Sequence, residues 1–423
     1  MRKTNARRWL IVGAIALLAA ACSSDSKTTG TSAQSGSGPK LSGEPVKVMM
    51  ITPLDTQTFN IIEGPPAMKA TVAAINDSGG VGGRPLEGEF CNSKDDPNVV
   101  DQCARKAVDE KVVAVIGAFD QSGAAKYREI LSAANIPNFA ILPSGEDDYK
   151  NPNSYPLSGG VAVNFVGAGK YLSDQHVTKA AIVTYGGVPT ADLVVKYIKI
   201  GLDGHGISYP DPTQMTFGLP DLSPIAAAAM QSQPQALVCV CATGDTVKIK
   251  QALNASGHSD VIVITDSSAI DPGVATAGSS INGVISIHAY PPADSGRPEA
   301  AGYAADFAKY GGGDAALKSQ ADFGPMTWTG LKVLQKLGSD IIKSGGTLDG
   351  ASFRAALNKL TDFNLGTLSN FGWGNKPLIA SFPQLQYTEL FFAKVQDGKV
   401  VLISQQSEDP YNDAILKALN SGG

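Results

Sequence analysis

Apolar residues gather in short blocks separated by stretches in which they recur every three or four positions, the alternation expected of buried strands and the helices that cover them. The first block, 46–51, predicts a strand. A polar loop over 52–60 leads to a helix whose Met68, Val72 and Ile75 share one face and which ends at Asn76-Asp77-Ser78-Gly79-Gly80. A second strand is expected over 86–90, and Asp96-Pro97 then opens a helix with Val100, Cys103, Ala104 and Ala107 at helical spacing. Residues 112–116 read as a buried strand, a helix runs through Ala134, and 136–142 supplies another strand. The pattern recurs with strands at 180–183, 215–217, 236–241, 261–264 and 284–287, and Asp221-Leu222-Ser223-Pro224 starts a helix among them. Further helices are expected near 299–310, 321–343 and 351–359, and Gln396-Asp397-Gly398 turns a hairpin between 391–395 and 400–403. The expected fold class is therefore α/β, with two doubly wound, mostly parallel sheets forming two lobes rather than one continuous sheet.

The chain of 423 residues is 43% hydrophobic and 17% charged, enough apolar material for two ordinary cores. Its formal net charge is -5, and loss of a leader carrying Arg2, Lys3, Arg7 and Arg8 makes the remainder more acidic. Nucleic acid is not expected as a partner, nor are anionic headgroups for the folded body.

That leader is a basic stretch followed by an apolar run over 9–18 and three alanines, the pattern of an export signal over 1–21 and too short for a mature membrane span. Cys22 follows directly, so 18–22 resembles a lipoprotein signal box in which the cysteine becomes the acylated N-terminus. Ala19-Ala20-Ala21 also suits ordinary secretion, and Arg7-Arg8 a twin-arginine route. Residues 22–43, rich in Ser, Thr and Gly, form a flexible tether. In an oxidising compartment Cys91 and Cys103, at a strand end and on the next helix, are placed for a disulfide contributing roughly 3 kcal/mol. Cys239 and Cys241 fall on one side of a strand and read as two small buried side chains; Cys-x-Cys without a nearby histidine is too few ligands for a metal.

No catalytic signature is visible, because His176, His205, His258 and His288 are scattered and belong to no metal or nucleophile motif. Gly79-Gly80-Val81-Gly82-Gly83 follows a helix and precedes a strand, the reverse of a dinucleotide loop, and Gly167-Ala168-Gly169-Lys170 lacks the hydroxyl residue of a phosphate loop. Neither a cofactor nor a metal is expected. Open α/β sheets bind ligands beyond the carboxyl ends of their strands. That rule selects Thr58 and Phe59, Gln121 and Ser122, Ser144, Tyr185 and Asp266. Ser122 is read as opening a helix, where its hydroxyl and free backbone amides hold an acceptor or simply cap the helix. Phe59 offers a stacking wall or covers its own lobe, and Asp266 pairs with a ligand amine or caps a helix.

The segment Ala74-Ile75-Asn76-Asp77-Ser78-Gly79-Gly80-Val81-Gly82-Gly83-Arg84, followed by Asp96-Pro97, Ala114-Val115-Ile116-Gly117, Asp221-Leu222-Ser223-Pro224 and Val395-Gln396-Asp397-Gly398-Lys399, resembles the branched-chain amino-acid-type solute-binding proteins of ABC importers, of type I periplasmic-binding fold. The resemblance implies two lobes, 44–162 with 289–365 and 163–288 with 366–423, joined by a three-segment hinge. It also implies a small-molecule ligand held between them, ABC importer membrane subunits as partner, an exported monomer tethered by lipid to the membrane face, and capture without catalysis. By position, Ser122 or Gln121 resembles the family serine that holds an amino-acid carboxylate, and Phe59 the aromatic of the first loop. Ala242-Thr243-Gly244-Asp245 stands where amino-acid-binding relatives place a tyrosine, and the segment around Asp266 lacks their glutamate, so the ligand expected is an amino acid or a related polar compound. A sensory receptor acting with a separate membrane partner and a secreted enzyme are the competing classes; a self-contained sensor needs a membrane span after the body, and none is expected there.

Overall fold

The computed structural model describes residues 39–56, 60–119, 125–313, 322–366, 368 and 371–421. The first sheet takes β1 (Val46–Thr52), β2 (Leu86–Asn92), β3 (Ala114–Ile116), β4 (Asn138–Ile141) and β5 (Ser154–Pro156) in the order β2-β1-β3-β4-β5, all parallel. Both faces are buried, as parallel sheets require. Along β1 and β3, Val48, Met50 and Ile116 point into one core while Met49, Ile51 and Val115 point into the other. Helix α1 (Gly64–Asp77) covers the former; α2 (Pro97–Asp109) and α3 (Lys126–Ala133) cover the latter, and the short α4 (Glu146–Lys150) follows β4. Asp96 caps α2 by accepting from the amides of Asn98 and Val99, with Pro97 at the first helical position. Cys91 of β2 and Cys103 of α2 are joined by a disulfide, their Cα atoms 5.9 Å apart.

After β5 the chain enters the second lobe through α5 (Gly160–Asp174), β6 (Ala180–Tyr185), α6 (Pro189–Gly204), β7 (Thr213–Met215), α7 (Ser223–Met230), β8 (Ala236–Cys239), α8 (Thr243–Ala255), β9 (Ile262–Asp266), α9 (Asp271–Ala277) and β10 (Ile285–His288). It returns to the first lobe for α10 (Pro298–Tyr310), α11 (Phe323–Lys343) and α12 (Gly350–Leu357). A last crossing brings β11 (Phe391–Gln396), β12 (Lys399–Leu402) and α13 (Asp413–Asn420) to the second lobe, whose sheet order is β12-β11-β10-β9-β8-β6-β7. Strands β11 and β12 are antiparallel, and the hairpin turn places Asp397 at φ 49° and Gly398 at φ 67°, the doubly left-handed geometry that an Asp-Gly pair adopts most readily.

Two expectations need correction, and one segment takes a role not foreseen. The strand placed at 215–217 lies at Thr213–Met215, so Phe217 stands in the following turn. Gly167 and Gly169, whose segment lacks the hydroxyl residue of a phosphate loop, lie inside α5. Gly169 lets two helices touch, since an added Cβ there would come 2.3 Å from the Gly201 carbonyl oxygen of α6, while a Cβ on Gly167 would meet the Leu390 side chain at 2.4 Å. Cys239 and Cys241 are not two separate thiols but a disulfide; β8 ends at Cys239, the chain bends at Val240, and the Cα atoms close to 5.3 Å instead of the roughly 6.7 Å of a straight strand.

The crossings are tied together. Buried Asp322, just before α11, accepts from the amides of Ala289 (2.8 Å) and Tyr290 (3.3 Å), and its Oδ1 lies 3.7 Å from His288 Nδ1. The Tyr290 hydroxyl donates to the Leu157 carbonyl at 2.6 Å, linking the second crossing to the first.

Candidate functional site

A cleft partly open to solvent lies beyond the carboxyl ends of both sheets. The first lobe contributes Phe119 after β3, Leu142 and Ser144 after β4, and Phe323 at the start of α11. The second contributes Val161 and Phe165 of α5, Tyr185 at the end of β6, Val188, Thr190, Ala191 and Val194 around the start of α6, Phe217, Val240 and Cys241, and Thr265, Asp266, Ser268 and Ala269. The walls are thus largely aliphatic and aromatic, with few polar groups. That is the usual make-up of a site for a small organic molecule. Phe119 and Phe323 meet edge to face at 5.3 Å.

Asp266 is the principal charge in this cleft. As the last residue of β9 it accepts from the amide (3.0 Å) and hydroxyl (2.7 Å) of Ser268 through Oδ1, and from Asn164 Nδ2 of α5 at 2.5 Å through Oδ2. Solvent reaches it only in part, and no described lysine, arginine or histidine forms an ion pair with it. Burial, and next the Asp322 carboxylate, push its pKa above the ordinary 3.8, against the opposing pull of the Ser268 and Asn164 donors. A carboxylate held in apolar surroundings without a counter-charge is costly, and a cationic group entering the cleft relieves that cost. Asn164, itself buried, retains an unpartnered Oδ1.

Tyr185 presents its ring to the cleft but not its hydroxyl. That group donates to Asp245 Oδ2 at 2.7 Å and accepts from the Ala242 amide at 2.8 Å, so it is spent inside the lobe. Burial, reinforced by Asp245, holds the phenol far above its usual pKa. Ser144 sits in a turn braced by buried Asp148, which accepts from the Ser144 amide at 3.1 Å and pairs with Arg128 at 2.8 Å.

Of the residues selected from the sequence, Ser144, Tyr185 and Asp266 line one cleft. Thr58, Phe59, Gln121 and Ser122 lie outside the described residues. Asp266 caps the turn over Ser267–Ala269 and also lines the cleft. Sequence reading missed Phe119, Phe165, Phe217, Phe323 and Asn164. The strand-end rule reaches Phe119, three residues after β3, and Phe217 once β7 is correctly bounded, whereas Asn164, Phe165 and Phe323 lie in helices away from any strand end. Among the described residues, no group of three or more His, Cys, Asp or Glu side chains is placed to hold a metal ion, and no helix is long and apolar enough to cross a membrane.

Two wound lobes with an apolar-walled cleft at their facing strand ends define a binding-protein architecture. A family model described as periplasmic binding protein matches residues 45–398, and the chain belongs to that family, an extracytoplasmic solute-binding class. Among solved structures, a leucine binding protein from Thermotoga maritima is 15% identical, with 85% of this chain and 98% of that one covered and a TM-score of 0.69. An ABC transporter solute binding protein from R. palustris in complex with 4-hydroxybenzoate is 19% identical, with 88% and 100% covered and a TM-score of 0.72. A fatty acid ABC transporter substrate-binding protein from Thermomonospora curvata is 14% identical, with 89% and 95% covered and a TM-score of 0.73. At these identities the likeness is one of fold. No curated protein matches the sequence.

Proposed function

We propose that this chain captures a small amine-bearing solute, an amino acid or related compound, between its two lobes and delivers it to the membrane subunits of an ABC importer without transforming it. The observation that carries the reading is Asp266, a carboxylate with no ionic partner among the described residues, set among apolar and aromatic walls. The ammonium of the solute meets Asp266, and its apolar part lies against the rings. Ser122 and Gln121, with Thr58 and Phe59, complete the first-lobe side, Ser122 holding a carboxylate where the solute has one; this part rests on the family resemblance. Solved neighbours of the same fold bind leucine and 4-hydroxybenzoate, which supports small-molecule capture as the task.

Native mass spectrometry of protein purified without denaturation tests the reading: a retained amine is expected, returned unchanged after incubation. A retained solute without a basic nitrogen, or its conversion to product, overturns it. On the same reading Cys22 carries the lipid that tethers the protein, as a monomer, to the outer face of the cytoplasmic membrane. Cys22→Ser is expected to release soluble protein or leave the precursor uncleaved, and equal solubility of both forms with lipid on neither removes the anchor.

A further inference from the structure

Phe217 is one of the few large apolar side chains with substantial exposure, at 38%. Its ring stacks on the buried Tyr185 ring, centroids 3.8 Å apart and planes at 17°, and it lines the cleft. It stands in a turn after edge strand β7, followed by Gly218 at φ 77°, so its own backbone does little to hold it. The hold comes from elsewhere. Lys248 of α8 donates to the Leu219 carbonyl at 2.8 Å and pairs with Asp245 at 3.2 Å, while Asp245 accepts from the Tyr185 hydroxyl. One charged network thereby fixes both rings of the stack. Its product is an aromatic face left open toward the cleft, which an apolar group of a ligand would remove from water.

We propose that Phe217 is the specificity-determining residue for the apolar part of the solute, selecting a flat, ring-bearing group that stacks on its open face, and that Asp245 and Lys248 are the positioning residues that keep the ring there. The inference rests on the cleft being the solute site but not on the amine at Asp266. The probe is N-phenyl-1-naphthylamine, a neutral aromatic whose fluorescence rises in apolar surroundings, titrated into the full folded chain.

Wild type is expected to bind it, Phe217→Ala to bind about tenfold more weakly, and Phe217→Trp to retain binding. Lys248→Met is expected to weaken binding and Lys248→Arg, which can still reach both Leu219 and Asp245, to restore it. That rescue separates positioning from general destabilisation. Asp266→Asn is expected to lower the affinity of ammonium-bearing solutes far more than that of the probe, whose aryl nitrogen carries no charge at neutral pH. Equal affinity in wild type and Phe217→Ala, or no binding by wild type, overturns the assignment. Loss of the Asp266→Asn effect on amines with the probe series intact overturns only the amine reading.

Discussion

Replacing Asp266 with asparagine removes a charge while leaving its hydrogen bonds open to repair, which makes it the most informative single change in the cleft. The retained carbonyl can still accept from Ser268, whose amide and hydroxyl lie 3.0 and 2.7 Å from Oδ1. The new amide would face Asn164 Nδ2, donor against donor, but Asn164 has an unpartnered Oδ1 and can rotate its amide to accept. The variant therefore folds with its network intact and differs in charge. Because the native fold raises the Asp266 pKa above 3.8, that group contributes stability that is fully present below 3.8 and lost as pH rises through the folded value. At neutral pH the wild type carries the penalty and the variant does not. Ligand-free Asp266→Asn is thus expected to melt higher than wild type at pH 7, with the gap narrowing as pH falls toward 3.8.

Affinity moves the other way. A charge-assisted hydrogen bond contributes about 1.5 to 3 kcal/mol, so amine binding followed by calorimetry should weaken roughly 10- to 150-fold. Wild-type affinity should also fall on acidification at a pH above the ordinary carboxylate range. A variant that melts lower than wild type at pH 7 and binds the retained solute equally well would refute both halves of the reasoning.

Lys250 of α8 is buried, donating to the carbonyls of Ser259 (3.0 Å) and Val261 (3.5 Å), and burial lowers its pKa. A depressed lysine adds stability only as pH climbs from the folded value toward the unfolded 10.5, so wild type should gain on Lys250→Met between neutral and alkaline pH in paired thermal melts; a constant gap would contradict this. Gly169→Ala drives a methyl group against the Gly201 carbonyl and is expected to cost about 2 kcal/mol in urea unfolding. Removing Cys91 and Cys103 together should lower stability by roughly 3 kcal/mol, and non-reducing peptide mapping should recover the Cys91 to Cys103 and Cys239 to Cys241 links separately.

The fold was legible where burial and periodicity agree. Strands such as β1 and β6, apolar on both faces, and helices with plain stop signals, such as α1, announce themselves. Helix α5 does not. Its Gly169 admits α6 at backbone contact, a tertiary demand that lowers the helical signal in one dimension. The three-residue β5 is too short to show a period and is defined by pairing with β4. At the site, Asp266 follows from a strand end, but the aromatic walls come from several elements. Phe217 joins them only through a stack on Tyr185 and a lysine bridge from α8, relations between segments that no local pattern encodes.

The clamp at Asp322 bears on how the two lobes can move. With Ala289 and Tyr290 fastened to the head of α11, and Tyr290 fastened in turn to Leu157, two of the three connecting strands are riveted into one axle. Sliding one strand past the other would break these bonds, so the freedom left is torsion about the axle itself. Asp322 sits on that line and acts electrostatically on Asp266 nearby. The carboxylate that fastens the crossings together is thus also one that raises the proton affinity of the cleft's own Asp266.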